Sequence, residues 1–214
     1  MLLFGFMIKR INFNKYLLLL SVVILIATGC GEKTTLLSPL ANDSVILAFG
    51  DSLTYGYNVS RSESYPAKLE DLTGLRVINA GVSGEISGQG LKRLPKVLDE
   101  FHPQLVILCH GGNDLLRKMD LKEMELNIRG MIELSLDRDI PVILFGVPKP
   151  GIFLSSFDVY KKIANSTDVI FIEDLISEIL GNKSLKSDSI HPNKKGYNMM
   201  AEGVYSLLID KGVI

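Results

Sequence analysis

Five short stretches of the chain carry apolar side chains at nearly every position: residues 45–49 (VILAF), 105–109 (LVILC), 142–145 (VILF), 169–172 (VIFI) and, more weakly, 75–79 (LRVIN). Short unbroken apolar runs are what parallel strands need when helices cover both of their faces. Between them the apolar positions recur at intervals of three and four: Leu91, Leu94 and Leu98; Ile128, Met131 and Ile132; Tyr197, Met200, Ala201, Val204, Leu207 and Leu208. That is the period of an amphipathic helix. Strands alternating with helices predict a three-layer α/β/α sandwich around a mainly parallel five-stranded sheet, with ligands gathering at the carboxyl ends of the strands. No repeat or low-complexity segment divides the pattern, so residues 44–214 read as one domain.

The first 29 residues follow a different rule. Lys9, Arg10 and Lys15 precede the apolar run at residues 17–27 (LLLLSVVILIA), which is shorter than the roughly 20 residues of a membrane-spanning helix. It reads as the hydrophobic part of a secretory signal, with Met7 as an alternative start. The run ends in Ala27-Thr28-Gly29-Cys30, which resembles a bacterial lipobox, although Ala27 stands where Leu is usual. The resemblance implies cleavage before Cys30, lipidation of its sulfur and membrane attachment through that anchor. On that resemblance residues 30–43 are expected to form a tether, and the expected location is that of an exported lipoprotein of the cell envelope. Gly31 after the cysteine fits the outer-membrane, periplasmic side in a diderm cell.

Composition narrows the function classes. With 47% hydrophobic and 22% charged residues among 214, the chain is globular rather than disordered. Three of its 23 Lys and Arg, and none of its 24 Asp and Glu, lie in the signal, which leaves a net charge of −4 and disfavours nucleic acid as a partner. Cys30 and Cys109 make neither a disulfide framework nor a zinc-spaced cluster, and no metal or other cofactor is expected.

The chemistry-bearing residues sit where the strands end. Residues 50–56 (GDSLTYG) put Ser52 in a glycine-flanked turn, where it either faces a cleft or caps a helix. Residues 79–85 (NAGVSGE) form a small-residue loop that could approach a ligand closely. After the third strand come His110, Gly111, Gly112, Asn113 and Asp114, an ordinary Gly-Asn turn unless its amide faces a ligand. Before the last helix, which Asn193 would cap, Asp188 and His191 are close enough along one loop for the carboxylate to orient the imidazole. His102 lies in a Phe-His-Pro turn without a partner, and His110 is a rival base with no evident orienting carboxylate.

In order and spacing the four segments resemble those of the SGNH, or GDSL, hydrolases, through GDSLTYG, residues 79–84, GGND at residues 111–114 and DSIHPN at residues 188–193. The likeness is greatest to the bacterial multifunctional acyl-CoA thioesterase, lysophospholipase and arylesterase group, and extends to Tyr65-Pro66-Ala67 and Arg93-Leu94-Pro95. It implies a flavodoxin-like fold, Ser52 as nucleophile, His191 as general base and Asp188 as the residue orienting it. The implied oxyanion hole is the N–H of Ser52, the N–H of Gly84 and the side-chain amide of Asn113. The expected function is that of a monomeric serine esterase acting on acyl-ester or lipid substrates: lysophospholipids, short acyl esters and acyl-CoA thioesters. A carbohydrate O-acetyl esterase of the same fold and a non-catalytic envelope lipoprotein are the alternatives. Residues 147–153 (VPKPGIF) depart from that group in a region that lines the family's acyl pocket, so substrate preference transfers less well than mechanism. Leu37, Leu40, Ile152 and Phe153 are weak hints of an apolar acyl site.

Overall fold

The computed structural model describes residues 37–149 and 155–214. The signal, Cys30, Ile152 and Phe153 lie outside them. Five parallel strands form the sheet: β1 (Val45–Gly50), β2 (Arg76–Gly81), β3 (Leu105–Cys109), β4 (Val142–Phe145) and β5 (Ile170–Ile172), in the spatial order β2-β1-β3-β4-β5. Every residue of β1, β3 and β4 is buried, which is why these three read as unbroken apolar runs. The edge strands β2 and β5 are covered less completely; the sequence of β2 is correspondingly mixed, while β5 stays wholly apolar.

The helices are α1 (Ser52–Tyr55), α2 (Tyr65–Thr73), α3 (Ser87–Phe101), α4 (Gly112–Leu116), α5 (Leu121–Leu136), α6 (Asp158–Ala164), α7 (Leu175–Gly181) and α8 (Lys194–Asp210). The three long ones bury most of the stripes expected of them, with Leu91 and Leu207 only partly buried. Leu94 and Leu98 of α3, Ile128, Met131 and Ile132 of α5, and Tyr197, Met200, Ala201, Val204 and Leu208 of α8 all join the core. Asn193 caps α8 as expected, its side-chain oxygen accepting the N–H groups of Lys195 and Gly196. The short helices α1, α4, α6 and α7 are too brief to show a period.

The packed chain begins earlier than residue 44. Leu37 is buried in the core and the Leu40 N–H donates to the Val213 carbonyl at 2.8 Å, so residues 37–43 lie on the domain instead of acting as free tether. Leu40 lines a depression with Ser44, Gln104, Ile140 and Asp168, residues that precede β1, β3, β4 and β5. That is the amino edge of the sheet, so Leu40 does not belong to a site at the carboxyl edge, and Leu37 is taken up by the core.

Candidate active site

The strand order reverses direction between β1 and β3, and the residues that follow these two strands flank the resulting crevice. β1 turns into α1 at Asp51, whose carboxylate accepts the Leu53 N–H at 3.1 Å and caps the helix. Capping therefore falls to Asp51 and leaves the Ser52 hydroxyl free for other partners. On the far side of the crevice, Gly111 takes φ +101 and starts α4, which carries Asn113.

His191 reaches Ser52 from the loop before α8. Its Nε2 is 3.1 Å from Ser52 Oγ, and its Nδ1 is 2.8 Å from Asp188 Oδ2. The loop is shaped by the same aspartate, because Asp188 Oδ1 accepts the N–H groups of Ile190 and His191, each at 2.8 Å. Burial alone would raise the Asp188 pKa; the hydrogen bonds from Ile190 and His191 outweigh it and hold the carboxyl below its ordinary value. Ser52 is thus joined to His191 and Asp188, from a loop more than 130 residues further along the chain, in one hydrogen-bonded line at the carboxyl edge of the sheet.

Two neighbours of this line were not singled out from the sequence. Asn58 donates to Asp188 Oδ2 at 3.0 Å, and the Tyr57 ring lies 4.5 Å from the imidazole, centroid to centroid. The Tyr57 carbonyl accepts the Tyr197 hydroxyl, which ties this segment to α8. The available signal was Asn58 itself, an asparagine just after a glycine-containing turn, and it does adopt a left-handed conformation with φ 67.

The expected oxyanion donors are not all in one cleft. Ser52 and Asn113 share a cavity of about 50 Å³ with Asp51, His191 and the apolar side chains of Leu53, Leu116, Val147, Leu180 and Ile190. Gly84 lines the adjoining depression, with Ser83, Gln89 and Arg117, and its carbonyl accepts from the Arg117 guanidinium at 2.9 Å. The Asn113 amide nitrogen donates to the Glu85 carbonyl at 3.0 Å and to Asp51 Oδ2 at 3.3 Å. Burial raises the pKa of Asp51.

The rival histidines stand apart from the cleft. His102 ends α3 in a left-handed conformation. His110 does have a carboxylate partner, Glu85, which the sequence did not reveal, but the ring is fully buried and does not line the cleft. Cys109 is also fully buried, and that burial pushes its thiol pKa well up, as suits a packing residue at the end of β3. Among the described residues no cluster of three His, Cys, Asp or Glu side chains could hold a metal, and no helix is long and apolar enough to cross a membrane.

A serine hydrogen-bonded to an imidazole at the switch point of a doubly wound parallel sheet is the arrangement of a serine hydrolase on this fold. Residues 48–199 match the model of the GDSL-like lipase/acylhydrolase family, a span that runs from β1 into α8 and includes Ser52, Asn113, Asp188 and His191. The chain belongs to that family and is a GDSL-type ester hydrolase. It is 31% identical over 165 residues to thioesterase 1/protease 1/lysophospholipase L1 of Escherichia coli (strain K12), covering 73% of this chain and 79% of that protein. It is 30% identical to an arylesterase of Vibrio mimicus, covering 77% and 88% of the two chains. Among solved structures, the psychrotrophic esterase EstA from Pseudoalteromonas sp., inhibited by monoethylphosphonate, superposes with a TM-score of 0.71 at 27% identity over 78% of this chain and 98% of that one.

Proposed function

We propose that the protein cleaves acyl esters through an acyl-enzyme on Ser52. The observation that carries this reading is the contact of 3.1 Å between Ser52 Oγ and an imidazole whose other nitrogen lies 2.8 Å from Asp188. With its ring proton on Nδ1 facing Asp188, His191 presents an unprotonated Nε2 that takes the Ser52 proton as Oγ attacks the ester carbonyl. In this proposal the tetrahedral oxyanion is met by the Ser52 N–H and the Asn113 amide, which line the cleft, and by the Gly84 N–H from the depression beside it. His191 returns the proton to the departing alcohol, and a water activated by the same imidazole then hydrolyses the acyl-enzyme to free acid and serine.

The substrates we propose are lysophospholipids and short acyl esters. The relatives' names support ester and thioester chemistry, and the small, apolar-walled cleft beside Ser52 suits a short acyl group. The same cleft favours a second reading, removal of acetyl groups from a glycan. A chain-length series of p-nitrophenyl esters, run beside a lysophospholipid and an acetylated sugar, separates them. Turnover of several chain lengths and of the lysophospholipid is expected; activity on the acetylated sugar and acetyl ester alone would establish the second reading.

The site of action we propose is the cell envelope, with a monomer held by lipid on Cys30. The apolar run ending in Ala27-Thr28-Gly29-Cys30 supports it. An exported enzyme has little access to acyl-CoA, which is chiefly cytosolic. Cys30→Ser should release the protein from the membrane fraction with its esterase activity intact, because the thioether requires that sulfur. A variant that stays in the membrane through detergent-free washing would identify residues 17–27 as an uncleaved anchor.

A further inference from the structure

His110 is fully buried and plays no part in the proton transfers above. Both of its ring nitrogens are nevertheless committed. Nδ1 accepts the Gly111 N–H at 3.0 Å, which puts the ring proton on Nε2, and Nε2 donates to Glu85 Oε2 at 3.2 Å. The two partners lie on different loops. Gly111 opens the turn that carries Asn113, and Glu85 follows Gly84 in the loop between β2 and α3.

The surroundings are built to hold this ring. Arg93 of α3 grips the Glu85 carboxylate with Nη2 at 2.6 Å and Nε at 2.8 Å, and reaches the Ala80 carbonyl at 3.0 Å. Burial alone would raise the Glu85 pKa; the bonds from Arg93 and His110 outweigh it and keep the group ionised. Gly90 provides the space, because a Cβ there would come within 2.4 Å of His110 Nε2. The His110 carbonyl accepts the Tyr160 hydroxyl at 2.7 Å. Nearer the cleft the same two loops are joined again, by Asn113 to the Glu85 carbonyl and by Asp114, whose carboxylate accepts the Ser87 N–H at 2.9 Å and hydroxyl at 2.6 Å.

We propose that His110 is a positioning residue that fixes the separation of Gly84 and Asn113 by bonding the Glu85 side chain on one loop and the Gly111 N–H on the other. The inference rests on the assignment of Gly84 and Asn113 as oxyanion donors. Such donors act because they are aimed before the reaction begins, so loosening the brace weakens binding of the transition state and leaves substrate binding in place.

Three substitutions test it. His110→Leu fills much of the space and removes both bonds. His110→Gln can place its Nε2 near the lost ring Nε2 and keep the Glu85 contact, and His110→Asn can place Oδ1 near the lost Nδ1 and accept from Gly111. In His110→Leu, kcat should fall about 10- to 100-fold with KM within about twofold, and Gln and Asn should each recover part of the loss. On an Asn113→Ala background the extra loss from His110→Leu should shrink, because the donor being aimed is already gone. If Asn113→Ala alone costs nothing, the oxyanion assignment fails and takes this inference with it. If Asn113→Ala is slow as expected while His110→Leu matches wild type in kcat, the inference alone is overturned. Should His110→Leu not fold, the Gln and Asn variants decide, together with Glu85→Gln: a reduced kcat at preserved KM supports the brace, and wild-type kcat in all three overturns it.

Discussion

Asp188→Asn is expected to lower kcat/KM by about ten-thousandfold, the scale seen when the orienting carboxylate of such a site becomes an amide. Asp188 accepts hydrogen bonds at both oxygens: from the Ile190 and His191 N–H groups at Oδ1, and from His191 Nδ1 and Asn58 at Oδ2. An asparagine has one acceptor oxygen. If that oxygen keeps the backbone turn, the new NH2 faces His191 Nδ1 and the Asn58 amide, and the imidazole either flips its proton to Nε2, where it can no longer accept from Ser52, or loses its alignment. If the oxygen instead serves the imidazole, the turn that delivers His191 comes apart. Either way the loss falls on activity, and because the loop is exposed the thermal midpoint should move little. Steady-state kinetics on a p-nitrophenyl ester measure it. A variant with near-wild-type kcat/KM would remove Asp188 from the proposed machinery.

Asn113→Ala is expected to lower kcat by about 100- to 1000-fold with KM little changed, equivalent to about 2.7 to 4 kcal/mol of lost transition-state stabilisation. The Asn113 amide donates to the Glu85 carbonyl at 3.0 Å and, over a longer 3.3 Å, to Asp51. The longer bond is the one an oxyanion forming in the cleft would displace, since Asn113, Asp51 and Ser52 line the same cavity. The bond to Glu85 meanwhile keeps the amide aimed, and alanine loses both. Turnover within about threefold of wild type, far short of what one such donor contributes, would refute the role given to Asn113 even with Ser52 essential.

The sheet was legible because its three central strands are buried on both faces. Leu105–Cys109 and Val142–Phe145 match the apolar runs residue for residue, and β5 differs from its run by one residue. The weak fifth run, at residues 75–79, became β2 with its end moved to Gly81, because β2 is an edge strand whose apolar pattern is diluted by Arg76 and Asn79. What escaped was either too short for periodicity or made by contacts between distant segments. Helices α6 and α7 span seven residues each, about two turns. The partnership of His110 with Glu85 joins residues 25 apart, and that of Asn58 with Asp188 joins residues 130 apart, and no local spacing rule announces either. Ser52, Asp188 and His191 could be picked out because each stands in a short motif at a strand or loop end. Their mutual distances came only from the fold, which carries the loop before α8 to the end of β1.

Acyl-enzyme formation at Ser52 is tested most directly by covalent labelling with a p-nitrophenyl alkylphosphonate ester: Ser52 Oγ gives up its proton and displaces p-nitrophenolate from phosphorus, leaving a phosphonyl group on the serine oxygen that mimics the tetrahedral intermediate. Intact-mass and peptide mass spectrometry of the wild-type protein should show one adduct per chain, located at Ser52, appearing in step with loss of esterase activity and absent from Ser52→Ala. An adduct on another residue, or a Ser52→Ala protein that still turns over the ester at the wild-type rate, would contradict the assignment of Ser52 as nucleophile.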